Sequence, residues 1–297
     1  MITIPARKPR EPREPRLVSL RRATRASQLT TAGAAIILAI VVIALFAPLL
    51  APYPGDAGAA THPEIALQAP SAAHLFGTDQ VGRDVLSRVL YGARVSPLVA
   101  VFVLLIACAV GIPLGLAAGY FGGVADEIVM RITDIFLAFP PLLLALAFAA
   151  VLPASLTSLT AAIAITWWPW YTRLIRGQAA SVAGRPYIEA CRSLGIPRWR
   201  ILLRHVLPNS VTPLIVQVSL DAGGVILTSS ALSFLGLGAQ DPVPDWGLMI
   251  AEGENYFTTQ WWLVTFPGLA ILITALACTL AGDGLRDILD PRRPAAP

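Results

Sequence analysis

Long apolar runs separated by short clusters of charge constrain this chain more than any other feature. A helix crossing the bilayer core needs roughly 20 mainly apolar residues, and several uninterrupted stretches reach that length. Barrel strands would alternate over about 10 residues; these runs do not alternate. The reading is an all-α integral membrane protein. Composition agrees, with 56% hydrophobic and 13% charged residues against about 25% charged in a soluble domain.

Six spans are expected, near Thr31–Leu50, Val95–Gly119, Ile132–Leu152 (interrupted by Pro140-Pro141), Leu156–Ile175, Val211–Leu237 and Gln260–Ala281. Residues 1–28 read as a disordered, basic, cytoplasmic tail, and 291–297 as a short second tail. Between them lies the membrane domain, 29–290, with an outer segment at 51–93 and a basic loop at 176–208. A short loop is expected at Tyr120–Arg131. Six spans place both termini on one side, and Lys and Arg in short loops choose that side. With the N-terminus inside, nineteen basic residues face the cytoplasm and three (Arg83, Arg88, Arg94) face outward. The expected topology is N-in, C-in.

Several chemistries find no support. Lys8 is the only lysine, so no Walker A phosphate loop, which needs a Gly-rich turn followed by Lys, exists here. His62, His74 and His205 lie far apart and form no zinc pattern. Cys108, Cys191 and Cys278 have no metal-ligand spacing and read as small apolar fillers. No Gly-x-Ser-x-Gly elbow is present. The chain reads as a non-enzyme, with no metal and no nucleic-acid partner.

The segment from Tyr187 to Pro208 has the local chemistry of helix, turn, helix. Gly195 suits a left-handed residue just past a helix end. Pro197 suits the first turn of a following helix. Pro208 is expected to break the chain before the next span. A short helix on a rigid elbow can sit in a cleft of a soluble partner and transmit a push.

These residues resemble a known family. The pattern Glu-Ala-Ala-x₃-Gly-x₉-Ile-x-Leu-Pro marks permease subunits of binding-protein-dependent ABC importers, and Glu189, Ala190, Gly195, Leu207 and Pro208 match it. Cys191 stands where the second Ala is usual, and His205 where Ile is usual. Further blocks are similar to the C-type dipeptide/oligopeptide branch: His74–Asp79 through Gly82–Arg88, Leu137–Pro140, Ala231–Gly238 with Trp246-Gly247, Phe266–Gly268, and Gly282–Asp287 with Leu289–Pro291. Ser229 departs from an acidic residue frequent in that branch. The resemblance implies type I importer permease architecture in the bacterial inner (plasma) membrane. It implies half of a translocation pathway for di- or oligopeptides, a homologous second permease, two ABC ATPase subunits and an extracytoplasmic binding protein. ATP and Mg would sit on the ATPases, with no cofactor on this chain. The ATPase-coupling residues would be Glu189, Ala190, Gly195, Ile196, Pro197, Arg198, Leu207 and Pro208. A nickel or glutathione importer is the alternative within the same machine type, and a stand-alone secondary transporter the alternative outside it.

Other positions carry expectations of their own. Thr78 or Asp79 reads as the cap of a helix in which Arg83 and Asp84 pair locally; the same outer residues, Asp79, Arg83 and Asp84, would otherwise cover the pathway mouth or touch the binding protein. Gly111, Gly115 and Gly119, spaced by four, read as a close helix-packing face. Asp221 is the one acidic residue well inside an apolar span. It reads either as a pathway residue, for example meeting a peptide's amino terminus, or as a group satisfied locally near Gln217. Ser229 is a second pathway candidate. Asp241, Asp245, Glu252 and Glu254 make the last outer loop acidic, either to dock a basic surface or simply to be solvated. The Trp and Tyr residues at 167–171 and 261–262 read as interfacial belts.

Overall fold

In a water-free core every backbone amide must be satisfied within its own segment, which leaves helices as the answer to the apolar runs. The computed structural model describes residues 16–289, with side chains placed from 28 to 288. Its helices are α1 (Arg16–Leu50), α2 (Val85–Phe121), α3 (Gly123–Leu137), α4 (Pro141–Val151), α5 (Leu156–Ala183), α6 (Pro186–Ser193), α7 (Arg198–Ile201), α8 (Leu207–Ser210), α9 (Thr212–Phe234), α10 (Trp246–Gly253) and α11 (Trp262–Leu289). No strand occurs among the described residues.

Four helices are long and apolar enough to span a bilayer: α1 from Gln28, α2, α9 and α11 up to Ile288. The pair α3 and α4 supplies a fifth candidate, bent by 88°. The bend falls at Pro140-Pro141, where a helix can start but not continue. The expected single span 132–152 is thus two helices meeting almost at a right angle. The remaining expected span lies in α5, which is long enough at 28 residues. Its Trp-rich second half, with Arg173 and Arg176, holds it below the hydropathy of the others.

Element limits shift for identifiable reasons. Helix α1 begins at Arg16, inside the stretch expected to be a tail; residues 1–15 and 290–297, which include the rest of both expected tails, lie outside the described residues. The loop expected at Tyr120–Arg131 shrinks to Gly122, because α3 starts at Gly123. Asp126, Glu127 and Arg131 look like loop charges, yet they share an amphipathic helix in which Arg131 pairs with Glu127 at 3.5 Å. The expected basic loop begins inside α5, where Arg176 grips Asp126 of α3 through Nε at 2.9 Å and Nη2 at 2.5 Å.

The core runs along the seam of α2 and α5. Val103, Ala107, Leu159, Ile163, Tyr171 and Ile175 are all fully buried. The small-residue face of α2 lets the two backbones approach: a Cβ added at Gly115 would lie 2.5 Å from the Thr172 carbonyl, and one at Gly111 would lie 2.9 Å from that of Trp168. Apolar side chains such as Leu45, Leu49 and Phe102 point outward, as lipid-facing surfaces do.

Candidate functional site

At the end of the bundle that holds α6 to α8, the chain folds as an elbow. Pro186 opens α6, and Glu189 lies in its first turn, where the helix dipole favours an acid. The helix closes on a Schellman motif: Gly195 N–H donates to the Arg192 carbonyl at 3.0 Å and Ile196 N–H to that of Cys191 at 3.2 Å. That closure needs a left-handed residue, and Gly195 has φ +72°. Pro197 is the N-cap of α7, one position earlier than expected. Pro208 does not break the chain. A π turn over Leu202–Val206 carries α7 into α8, with Leu207 N–H donating to the Leu202 carbonyl. The widened turn absorbs the donor that Pro208 lacks.

Ile188, Ile201 and Val206 are fully buried and anchor this elbow to the bundle. Arg192 lies over the Tyr120 ring at 5.3 Å, tying it to the end of α2. Its outer surface is unusual for a loop. Leu194 is 79% exposed and Trp199 60%, with Tyr187 and Leu203 also open. Glu189, Ala190, Gly195, Pro197, Arg198 and Pro208 are exposed with them, while Ile196 and Leu207 are half-buried. Exposed aromatic and aliphatic groups among arginines have the composition of a protein interface.

At the opposite end, residues 51–84 fold against the segment before α11. Asp84, not Thr78 or Asp79, is the N-cap of α2; its carboxylate accepts from Ser87 N–H and Oγ at 2.8 and 2.7 Å. The same carboxylate pairs with His74 Nδ1 at 3.0 Å. Thr78 instead ties the segment to itself, donating to the Ile65 carbonyl and accepting from Gln68 N–H. Arg83 Nε donates to Asp79 at 2.7 Å, and its Nη1 reaches across to Asp241 at 2.6 Å. Glu252 lies 3.6 Å from both Arg83 and Arg88. Burial pushes the Glu252 carboxyl above its ordinary range, against the pull of Arg88 and Arg83.

The last outer loop therefore spends most of its acidity internally. Asp245 caps α10 and accepts from Ser96 Oγ at 2.8 Å, while Asp241 and Glu252 join the arginine network. Asp245 and Glu252 are drawn inward by this pairing, while the Asp241 side chain stays 60% exposed and Glu254 is exposed. Trp262, expected in an interfacial belt, is buried and donates from Nε1 to the Thr78 carbonyl at 3.2 Å; Trp170 and Trp261 are half exposed, as belt residues would be. Arg88 shares Asp79 and Glu252 with Arg83. The long sequence separation hides the network, and only the residue types hint at it.

Within the membrane, Asp221 on α9 is half-buried. It accepts from Tyr171 Oη at 3.0 Å and from Gln217 Nε2 at 2.9 Å. Ser229 differs: it is buried, and its hydroxyl donates to the Ile226 carbonyl. The two pathway candidates do not share a surface. The three cysteines are free, and no cluster that could hold a metal occurs among the described residues.

Comparison with known proteins gives this arrangement a context. Residues 111–293 match the family described as binding-protein-dependent transport system inner membrane component. Residues 20–70 match the N-terminal transmembrane domain of oligopeptide transport permease C. The probable D,D-dipeptide transport system permease protein DdpC of Escherichia coli K12 is 48% identical over 90% of this chain and 89% of its own length. The dipeptide transport system permease protein DppC of Alkalihalophilus pseudofirmus is 44% identical over 90% and 86%. The glutathione transport system permease protein GsiD of Pectobacterium atrosepticum is 41% identical over 98% and 96%. A chain of the inward-facing methionine ABC transporter MetNI shares the fold, with TM-score 0.53 at 17% identity over 68% of this chain and 96% of that one. The protein is a multi-pass inner membrane permease with type I importer architecture, and it belongs to the binding-protein-dependent transport system inner membrane component family.

Proposed function

We propose that this chain forms half of the translocation pathway for di- or oligopeptides in an ABC importer and takes its motion from a partner ATPase through Glu189–Pro208. The observation that carries the coupling is the exposed, apolar, arginine-flanked surface of the elbow, held by Ile188 and Ile201 to the transmembrane bundle. A rigid element packed at one end and open at the other transmits displacement. Two ABC ATPases would hold the ATP and Mg, since this chain has no phosphate loop; hydrolysis is theirs, and this subunit is not an enzyme. A homologous second permease would complete the pathway, and an extracytoplasmic binding protein would deliver the substrate. Peptides are favoured because two of the relatives above are named for dipeptides; the glutathione permease keeps a modified tripeptide within the same class.

Gly195 provides the test. A Cβ there would touch nothing, so Gly195→Val acts only through the left-handed backbone. That conformation costs a branched residue roughly 1–2 kcal/mol. In proteoliposomes holding the whole importer and its binding protein, the variant should assemble normally but lose about tenfold in dipeptide-stimulated ATP turnover and uptake. Wild-type uptake by this variant sinks the coupling role.

A further inference from the structure

Asp221 lies in a helix long and apolar enough to cross the membrane. Intramembrane carboxylates normally pair with a cation or line a wet cavity. Among the described residues no Arg, Lys or His side chain forms an ion pair with it; its hydrogen-bond donors, Tyr171 Oη and Gln217 Nε2, are neutral. Each donor occupies a different carboxylate oxygen. A carboxylate offers about four acceptor positions, so acceptor capacity remains on both oxygens.

The surroundings fix this group without closing it off. Tyr171 is fully buried on α5, so its hydroxyl is held from a rigid neighbour. Gln217 lies one turn before Asp221 on α9. Along α9 the neighbours at helical spacing are Leu214, Gln217, Val218, Gly224, Val225 and Thr228; Gln217 and Gly224 are exposed, Val218 and Thr228 half-buried, and Leu214 and Val225 buried. Leu214, Val225 and Leu232 fill the adjoining buried arc. Asp221 therefore stands at the margin between packed core and an open, partly polar strip of an otherwise apolar helix. Its carboxylate is oriented, has spare acceptors and, among the described residues, pairs with no cation.

We propose that Asp221 is a cation-recognition point in the translocation pathway and accepts the α-ammonium group of the passing peptide, with Tyr171 as its positioning residue. The proposal rests on the peptide-permease reading above and adds the atom that meets the substrate. An ammonium brings three donors, and its charge replaces the partner that the membrane interior withholds. A charge-assisted hydrogen bond of this kind contributes enough to separate substrates that carry a free amine from those that do not. The contact must stay weak, because a pathway site has to release what it binds.

The test uses the full importer with its binding protein in proteoliposomes and a radiolabelled dipeptide. Asp221→Asn keeps the shape but removes the charge and replaces one acceptor oxygen with a donor; it should lower the uptake rate by about tenfold, the size of one charged hydrogen bond. Asp221→Glu should recover most of that loss, and Tyr171→Phe should fall between wild type and Asp221→Asn. All variants should co-purify with the ATPase subunits as the wild type does. Wild-type uptake by Asp221→Asn overturns the proposal. So does a complex that no longer assembles with Asn at 221, or an Asp221→Glu variant as impaired as Asp221→Asn, since either outcome makes the residue structural. A wild-type importer that carries no dipeptide at all instead defeats the peptide reading on which the proposal stands.

Discussion

Arg83 and Arg88 are almost fully buried, at 2% and 1% exposure. Charges so placed are tolerated only with partners. Asp79 serves both, Glu252 stands between them, and Asp241 closes the network on Arg83. The consequence is local to one residue: Arg83→Met leaves Asp79 with Arg88 alone at 3.7 Å. Breaking a buried pair costs about 3 kcal/mol. The variant should show that loss in thermal unfolding of the purified protein, while insertion and the α6–α8 end stay unchanged. Unchanged unfolding would mean that the outer end does not depend on this network. The sequence pointed to Arg83 and Asp84 as a local pair. In the structure they diverge, Arg83 toward Asp241 across 158 positions of chain and Asp84 into the cap of α2. Short-range spacing rules cannot see such a partner.

At the scale of elements, the seam between α2 and α5 depends on what α2 lacks. The glycines at 111, 115 and 119 put the α5 backbone where a side chain would otherwise stand. Gly115→Val would force the two helices apart, since its new Cβ meets backbone rather than a flexible side chain. Overpacking of that kind costs about 1–3 kcal/mol or more. Gly115→Val should reach the membrane yet lose resistance to protease and heat in detergent; wild-type resistance would show that the seam can yield. This face was legible in sequence because a four-residue repeat of glycine on an apolar helix has a physical meaning. So were the Gly195 turn and the existence of the long spans, each written in local chemistry, although α2 begins at Val85, inside the expected outer segment 51–93, because Asp84 caps it there. Helices α3 and α10 were not legible, because their charged and small residues look like loop when the packing surface is unknown. The π turn before Pro208 was hidden as well: proline announces a missing donor, but not how the backbone accommodates it.

For the whole molecule, the two ends divide the work. One end is locked by buried ion pairs and caps; the other exposes Leu194 and Trp199 beside the fixed left-handed turn at Gly195, the surface proposed above to meet an ATPase. Between them α9 carries the oriented carboxylate of Asp221. This division was half visible in the sequence. The arginine asymmetry set the expected sides, and the Glu-Ala-Cys…Gly…Leu-Pro pattern marked the segment proposed to couple. What the outer charges do needed their tertiary partners. The most direct measurement is energy dependence. The chain is purified from membranes with whatever accompanies it, reconstituted with its binding protein, and assayed for dipeptide uptake under ATP alone and under a proton gradient alone. ATPase subunits that co-purify, with uptake that requires ATP and ignores the gradient, are the predicted result. A chain that purifies without an ATPase and accumulates dipeptide on the gradient after ATP is depleted would contradict it.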